Sequence, residues 1–123
     1  KDLFNKNLIK KEKIIFNKKL NIININNKAI IEFASGHQIE TTNLIYDRNL
    51  NFFSSNSKTT MTDPYDNKLS MSTFSYSIIN KILSAHNVEI TDIEKNFYKI
   101  KNIKYNLKNN EIIGQDVSLE LKR

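Results

Sequence analysis

The chain contains no cysteine and no tryptophan, and only one proline and two glycines in 123 residues. Without cysteine there is no disulfide framework, no thiolate zinc site and no cysteine nucleophile. Gly36 and Gly114 are too few and too far apart for a G-x-G-x-x-G or Walker loop, which excludes nucleotide sites of those kinds. Apolar runs are only a few residues long, so no bilayer-spanning helix is expected. The opening KDLFNKNLIKK is charged and has no apolar h-region, so no signal peptide is expected in it. The closing ELKR offers no turn or cap chemistry, and the chain reads as a segment of something longer. Residues 1–123 amount to a single domain.

What is present is basic and polar. Lysine and arginine number nineteen against thirteen acidic residues, for a net charge of +6, and 39% of residues are hydrophobic. Seventeen of the basic residues are lysines and two are arginines. Lysine, asparagine and isoleucine all have A/T-rich codons, so the surplus and tracts such as NIININN read as codon bias. A nucleic-acid surface would favour arginine for bidentate contacts.

Helical spacing fails almost everywhere, and Asn, Thr, Ser and Ile are poor helix formers. Period-two alternation fits instead. Val88 and Ile90 alternate with Glu89 and Thr91; Val117, Leu119 and Leu121 with Ser118, Glu120 and Lys122. Ile103, Tyr105 and Leu107 alternate with Lys104 and Asn106, and Phe74, Tyr76 and Ile78 with small polar residues. One apolar and one polar face per strand predicts an all-β antiparallel sheet. Turn chemistry falls between the runs at Asp47-Arg48-Asn49, at 63–68 and at Lys108-Asn109-Asn110. The 63–68 stretch, the longest non-alternating break, is expected to be the most mobile loop.

An aromatic residue recurs at Phe16, Tyr46, Tyr76 and Tyr105, at spacings of 30, 30 and 29 residues. Each copy continues through a short polar turn to an apolar pair, Ile22/Ile23, Phe52/Phe53, Ile82/Leu83 and Ile112/Ile113. Val88 and Val117 each follow their tyrosine by twelve residues. One repeat therefore holds two strands and two turns, a rung of a stacked β-structure, and the aromatics are expected to line up along one wall.

At this point a resemblance emerges. Ser84-Ala85-His86-Asn87-Val88-Glu89-Ile90-Thr91-Asp92, with Asn43-Leu44-Ile45-Tyr46-Asp47 and Asn102-Ile103-Lys104-Tyr105-Asn106, resembles the OstA-like repeat of the lipopolysaccharide transport proteins, over roughly residues 9–121. Within that family the wording from Ile39 to Leu121 is most like the N-terminal periplasmic domain of the assembly protein LptD. The chain departs from the pattern where His86 replaces a glycine, and it lacks the cysteines that often staple this domain to its barrel. The resemblance implies an LptA/OstA-like antiparallel β-jellyroll in the periplasm or at the periplasmic face of the outer membrane. It also implies lipopolysaccharide as ligand, edge-strand pairing with other β-jellyroll transport proteins, and a C-terminal outer-membrane β-barrel in the same chain. The alternatives are a soluble carrier like LptA or LptC and a structural β-repeat without ligand.

No enzymatic chemistry is expected. His37 and His86 are the only histidines, neither in metal spacing, and no nucleophile motif accompanies them. His86 is expected at a solvated turn, and Glu89, Asp92 and Glu94 in an outward strand position and an acidic turn. No catalytic residue, metal or cofactor is expected. The inward face, and under the resemblance the lipid-groove lining, comprises Leu44, Tyr46, Phe74, Tyr76, Val88, Ile90, Ile103, Tyr105, Val117 and Leu119. The tyrosines share the apolar face of their strands, which argues against base-stacking platforms and hence against a nucleic-acid partner.

Overall fold

The computed structural model describes the backbone of residues 9–17 and 21–120 and the side chains of residues 21–118. The described residues form antiparallel strands and turns, with no helix among them. The strands are β1 (Ile9–Asn17), β2 (Ile22–Glu32), β3 (Gln38–Asp47), β4 (Phe52–Ser55), β5 (Thr59–Thr62), β6 (Lys68–Met71), β7 (Thr73–Ser77), β8 (Ile82–Thr91), β9 (Phe97–Asn106) and β10 (Glu111–Glu120). All ten belong to one sheet. β4 and β5 are two halves of one long strand broken at 56–58, and β6 and β7 two halves of another broken at Ser72. Among the described residues β1 pairs only with β2, and β10 only with β9, so both ends of the stack are edges.

The long strands bend in the middle, and asparagine makes the bend. Asn27, Asn43, Asn87 and Asp116 sit inside strands with φ of 61°, 52°, 52° and 57°. Asn and Asp are the non-glycine residues that tolerate this left-handed region best, and one such residue kinks the strand as a bulge does. The ladder skips a residue accordingly, from His86 to Val88 against Asn102 to Ile100, and from Gln115 to Val117 against the same pair. Each bend also shifts the alternation. In β8 the buried positions run Leu83, Ala85, then Val88, Ile90, a step of three replacing a step of two. Each strand thus has two arms, and the inner faces of the arms meet to enclose one core.

The thirty-residue period appears in the turns. On one side, Asn21, Asn51, Lys81 and Asn110 are left-handed. Consecutive turns there are joined by backbone bonds from Arg48 N to Asn21 O (3.0 Å), Ile78 N to Asn51 O (3.0 Å) and Leu107 N to Lys81 O (3.0 Å). On the other side Gly36, Asp66 and Lys95 are left-handed in the turns 33–37, 63–67 and 92–96.

Two local expectations change, and the last repeat shows a local difference of its own. The stretch expected to be the most mobile loop is a tight turn. Asp63 N donates to Asn67 O at 3.1 Å, while the Asp63 carboxylate accepts from Tyr65 N, Asn67 N and Asn67 Nδ2 at 2.8–2.9 Å. His86 lies within β8 at its bend, not at a turn before the strand, and contacts Asn102 on β9. In the fourth repeat Ile112 faces Tyr105 while Ile113 points outward, so the inward member of the last pair is its first residue.

Candidate functional site

The aromatic spacing becomes a row across the first arm. By strand register it runs Phe16, Ile23, Tyr46, Phe53, Tyr76, Leu83, Tyr105, Ile112. The repeated aromatics alternate with one member of each apolar pair, the second in Ile23, Phe53 and Leu83 and the first in Ile112. Tyr46 and Phe53 rings lie 4.9 Å apart, and Phe53 stacks on Tyr76 at 6.4 Å. The second arm carries a matching row, Ile9, Ile31, Ile39, Met61, Leu69, Ile90, Tyr98, Leu119. Facing each other, the rows exclude water: Ile31, Ile39, Phe53, Met61 and Leu83 are fully buried. Near the bend the lining is partly polar and internally satisfied. Thr41 and Thr59 hydroxyls meet at 2.7 Å, and Ser55 Oγ donates to Thr42 O at 2.7 Å.

Leu44, Tyr46, Phe74, Tyr76, Val88, Ile90, Ile103 and Tyr105 all lie in this interior. Val117 differs. It is in register with Ile100 and so on the inner face, yet it is 58% exposed because β10 is the edge and no described strand covers it. Leu119 opposes Tyr98 in register, and its side chain, like that of Phe16, lies outside the described ones.

The two arms are continuous at the bends. At their free ends, the mouth, side chains close the gap. Phe33 meets Tyr76 edge-on with ring centroids 4.9 Å apart. His37, 3% exposed, reaches the opposite arm at Tyr105 and Asn110. The donors fix the direction of this chain. Tyr105 Oη donates to Asn110 Oδ1, so His37 Nε2–H donates to Tyr105 Oη at 3.0 Å, and His37 Nδ1 accepts from Ser35 Oγ at 2.7 Å. Burial holds the His37 pKa below the ordinary histidine value, against the upward pull of the Asn110 bond and the Asp63 carboxylate. Burial likewise pushes Tyr76 and Tyr105 up to about 12, with Asp63 and Tyr65 adding to the shift of Tyr105.

The rim of the mouth is apolar at its tips and charged beside them. Leu50 and Ile79 on one lip, and Tyr65 and Ile93 on the other, are 65–69% exposed. Lys81 and Lys108 are exposed on the first lip, Asp66 and Glu94 on the second. A separate cleft of about 280 Å³ lies at the bends of β8, β9 and β10, lined by Asn87, Val88, Glu89, Lys99, Ile100, Lys101, Asp116 and Ser118.

Sequence reasoning missed Phe33, Ser35 and Asn110 and gave His37 no partner. The repeat itself held the signal. Aligned by period, Phe33 and His37 occupy the places of Asp63 and Asn67, and of Asp92 and Asn96.

A bent antiparallel sheet whose arms enclose an apolar core, built from recurring two-strand rungs, defines a β-jellyroll of the LptA-like kind. No protein-family model matches the chain, and no curated protein does. Among solved structures it is similar to the crystal structure of LptH, the LptA-homologous periplasmic component of the conserved lipopolysaccharide transport device from Pseudomonas aeruginosa. The match has a TM-score of 0.77, covers 94% of each chain and has 8% sequence identity. The likeness assigns the fold.

Proposed function

We propose that this chain is a non-enzymatic periplasmic module that takes the acyl chains of lipopolysaccharide between its two arms and passes them toward the outer membrane. The observation that carries the reading is the pair of apolar rows, each crossing eight strands in register and facing each other behind a mouth closed by side chains. A saturated chain of about fourteen carbons in water costs on the order of 10 kcal/mol, so transfer through an aqueous space needs apolar cover along its length. Leu44, Tyr46, Phe74, Tyr76, Val88, Ile90, Ile103 and Tyr105 supply that cover once the arms part, and Val117 and Leu119 extend it at the edge. Lys81 and Lys108 at the rim meet the phosphorylated sugars as mobile point charges, in contacts that salt screens.

The free edges β1 and β10 pair with related β-jellyrolls, making the lining continuous between proteins. In the fuller form of this reading the chain is the LptD-like domain ahead of an outer-membrane barrel. The likeness to LptH fits a second reading, a soluble carrier like LptA or LptC, equally well. Photo-reactive residues at positions 76 and 90 test the shared core of both. Crosslinks to lipopolysaccharide in cells are expected, and their absence in a folded, correctly assembled protein leaves a structural repeat. Photo-reactive residues along 10–16 and 116–121 are expected to capture a jellyroll partner.

A further inference from the structure

The interior is filled by its own side chains, so an acyl chain gains it only if something moves, and the structure indicates where. Within each arm, neighbouring strands are held by backbone ladders, and at the bends the two arms are one covalent chain. Across the mouth the turn 33–37 is held by side chains: the Phe33–Tyr76 ring contact and the hydrogen bonds from His37 to Tyr105 and Asn110. The other two turns on that lip use their side chains differently. Asp63 and Asp92 accept hydrogen bonds from their own turns, from Asn67 and Asn96 respectively. Phe33 and His37 give the first turn no such cap and bind it to the opposite arm instead.

We propose that the turn 33–37 is the latch of the jellyroll: acyl chains reach the interior sideways, through the mouth, when Phe33 and His37 release Tyr76, Tyr105 and Asn110. The proposal rests on the lipid-binding reading above. Opening here breaks a ring contact and a short relay of side-chain hydrogen bonds and leaves backbone ladders intact. Gly36 lets the closed turn seat against its neighbour, since a Cβ there would lie 3.0 Å from Pro64 Cγ.

The absence of native cysteine makes the test clean. His37→Cys with Asn110→Cys, joined by a short cleavable thiol cross-linker, staples the mouth. Asn43→Cys with Ser57→Cys, whose native side chains hydrogen-bond at 3.1 Å on the exposed outside of the bend, staples the hinge side as a control. Uptake of a fluorescent long-chain fatty acid and of purified lipopolysaccharide is then timed. Stapling the mouth is expected to slow uptake by about tenfold or more, with recovery on cleavage, while stapling the bend changes nothing. His37→Ala, unstapled, is expected to speed uptake, and circular dichroism confirms that each form is folded. Equal rates with the mouth stapled and cleaved overturn the latch while leaving lipid binding standing. No uptake in any form, the native chain included, overturns both.

Discussion

The turns 33–37, 63–67 and 92–96 have one backbone and two uses. In each, the first residue's N–H donates to the fifth residue's carbonyl, at 2.9, 3.1 and 3.1 Å, and the fourth residue's N–H donates to the first residue's carbonyl, at 2.9, 3.2 and 2.9 Å. In the second and third turns an aspartate at the first position receives the N–H groups of the third and fifth residues, closing the turn on itself. In the first turn phenylalanine and histidine occupy the first and fifth positions and reach across the molecule. Backbone geometry here belongs to the repeat, whereas contacts between the arms belong to individual residues. A periodic β-stack can therefore change what its mouth does without changing its frame.

The largest effect expected from erasing that difference comes from Phe33→Asp with His37→Asn, which gives the first turn the chemistry of the other two. Removing a nearly buried ring should cost about 3 kcal/mol, partly offset by the new cap, and urea unfolding measures it. Asp63→Ala is expected to cost about 2 kcal/mol, because it removes a nearly buried carboxylate that accepts three hydrogen bonds from its turn; Asp92→Ala, at a less buried position, should cost less. A larger loss at Asp92 would break the comparison. Gly36→Ala should cost about 1.5 kcal/mol, since φ of 96° is glycine territory and Pro64 crowds the added carbon, whereas Asp66→Gly at φ 67° should be near neutral.

The smallest expected effect is a pH dependence confined to the first turn. The unfolded chain binds a proton at His37 near pH 6.5, while the native pKa is lower. Below about pH 6.5 the unfolded state therefore holds more protons, and stability falls with pH until native His37 also protonates. His37→Gln should flatten that segment of the stability profile. Asp92 acts only at lower pH. Partial desolvation raises its pKa, but hydrogen bonds from Asn96, Tyr98 and Glu94 N–H outweigh this and hold it below the ordinary carboxylate value. The stability it contributes is lost only as pH falls below that value.

The spacing of Tyr46, Tyr76 and Tyr105 revealed the rungs, because in-register strands of fixed length must return each residue to the same row. Alternation then placed Leu44, Phe74, Val88, Ile90 and Ile103 on the inner face, where they are buried. It could not reveal that Val117 stays exposed, because alternation identifies a face and not what covers it. The bends were hidden for a related reason. A left-handed Asn87 shifts the phase from Ala85 to Val88, so one strand reads as two short runs. The latch was the least legible feature. His37 and Tyr105 are 68 residues apart, and no local pattern announces a contact between opposite arms.

The in-register rows also make this protein a ruler. Each thirty-residue copy contributes two strands, and strands lie about 4.8 Å apart, so one copy adds about 9.6 Å of apolar lining. Duplicating or deleting a whole copy would change the reach of the lining in that increment and leave its cross-section alone. A change of half a copy, a single strand, would instead reverse the chain direction of one edge relative to the other. Selection on a chain of this design can therefore set how far it spans independently of what it holds.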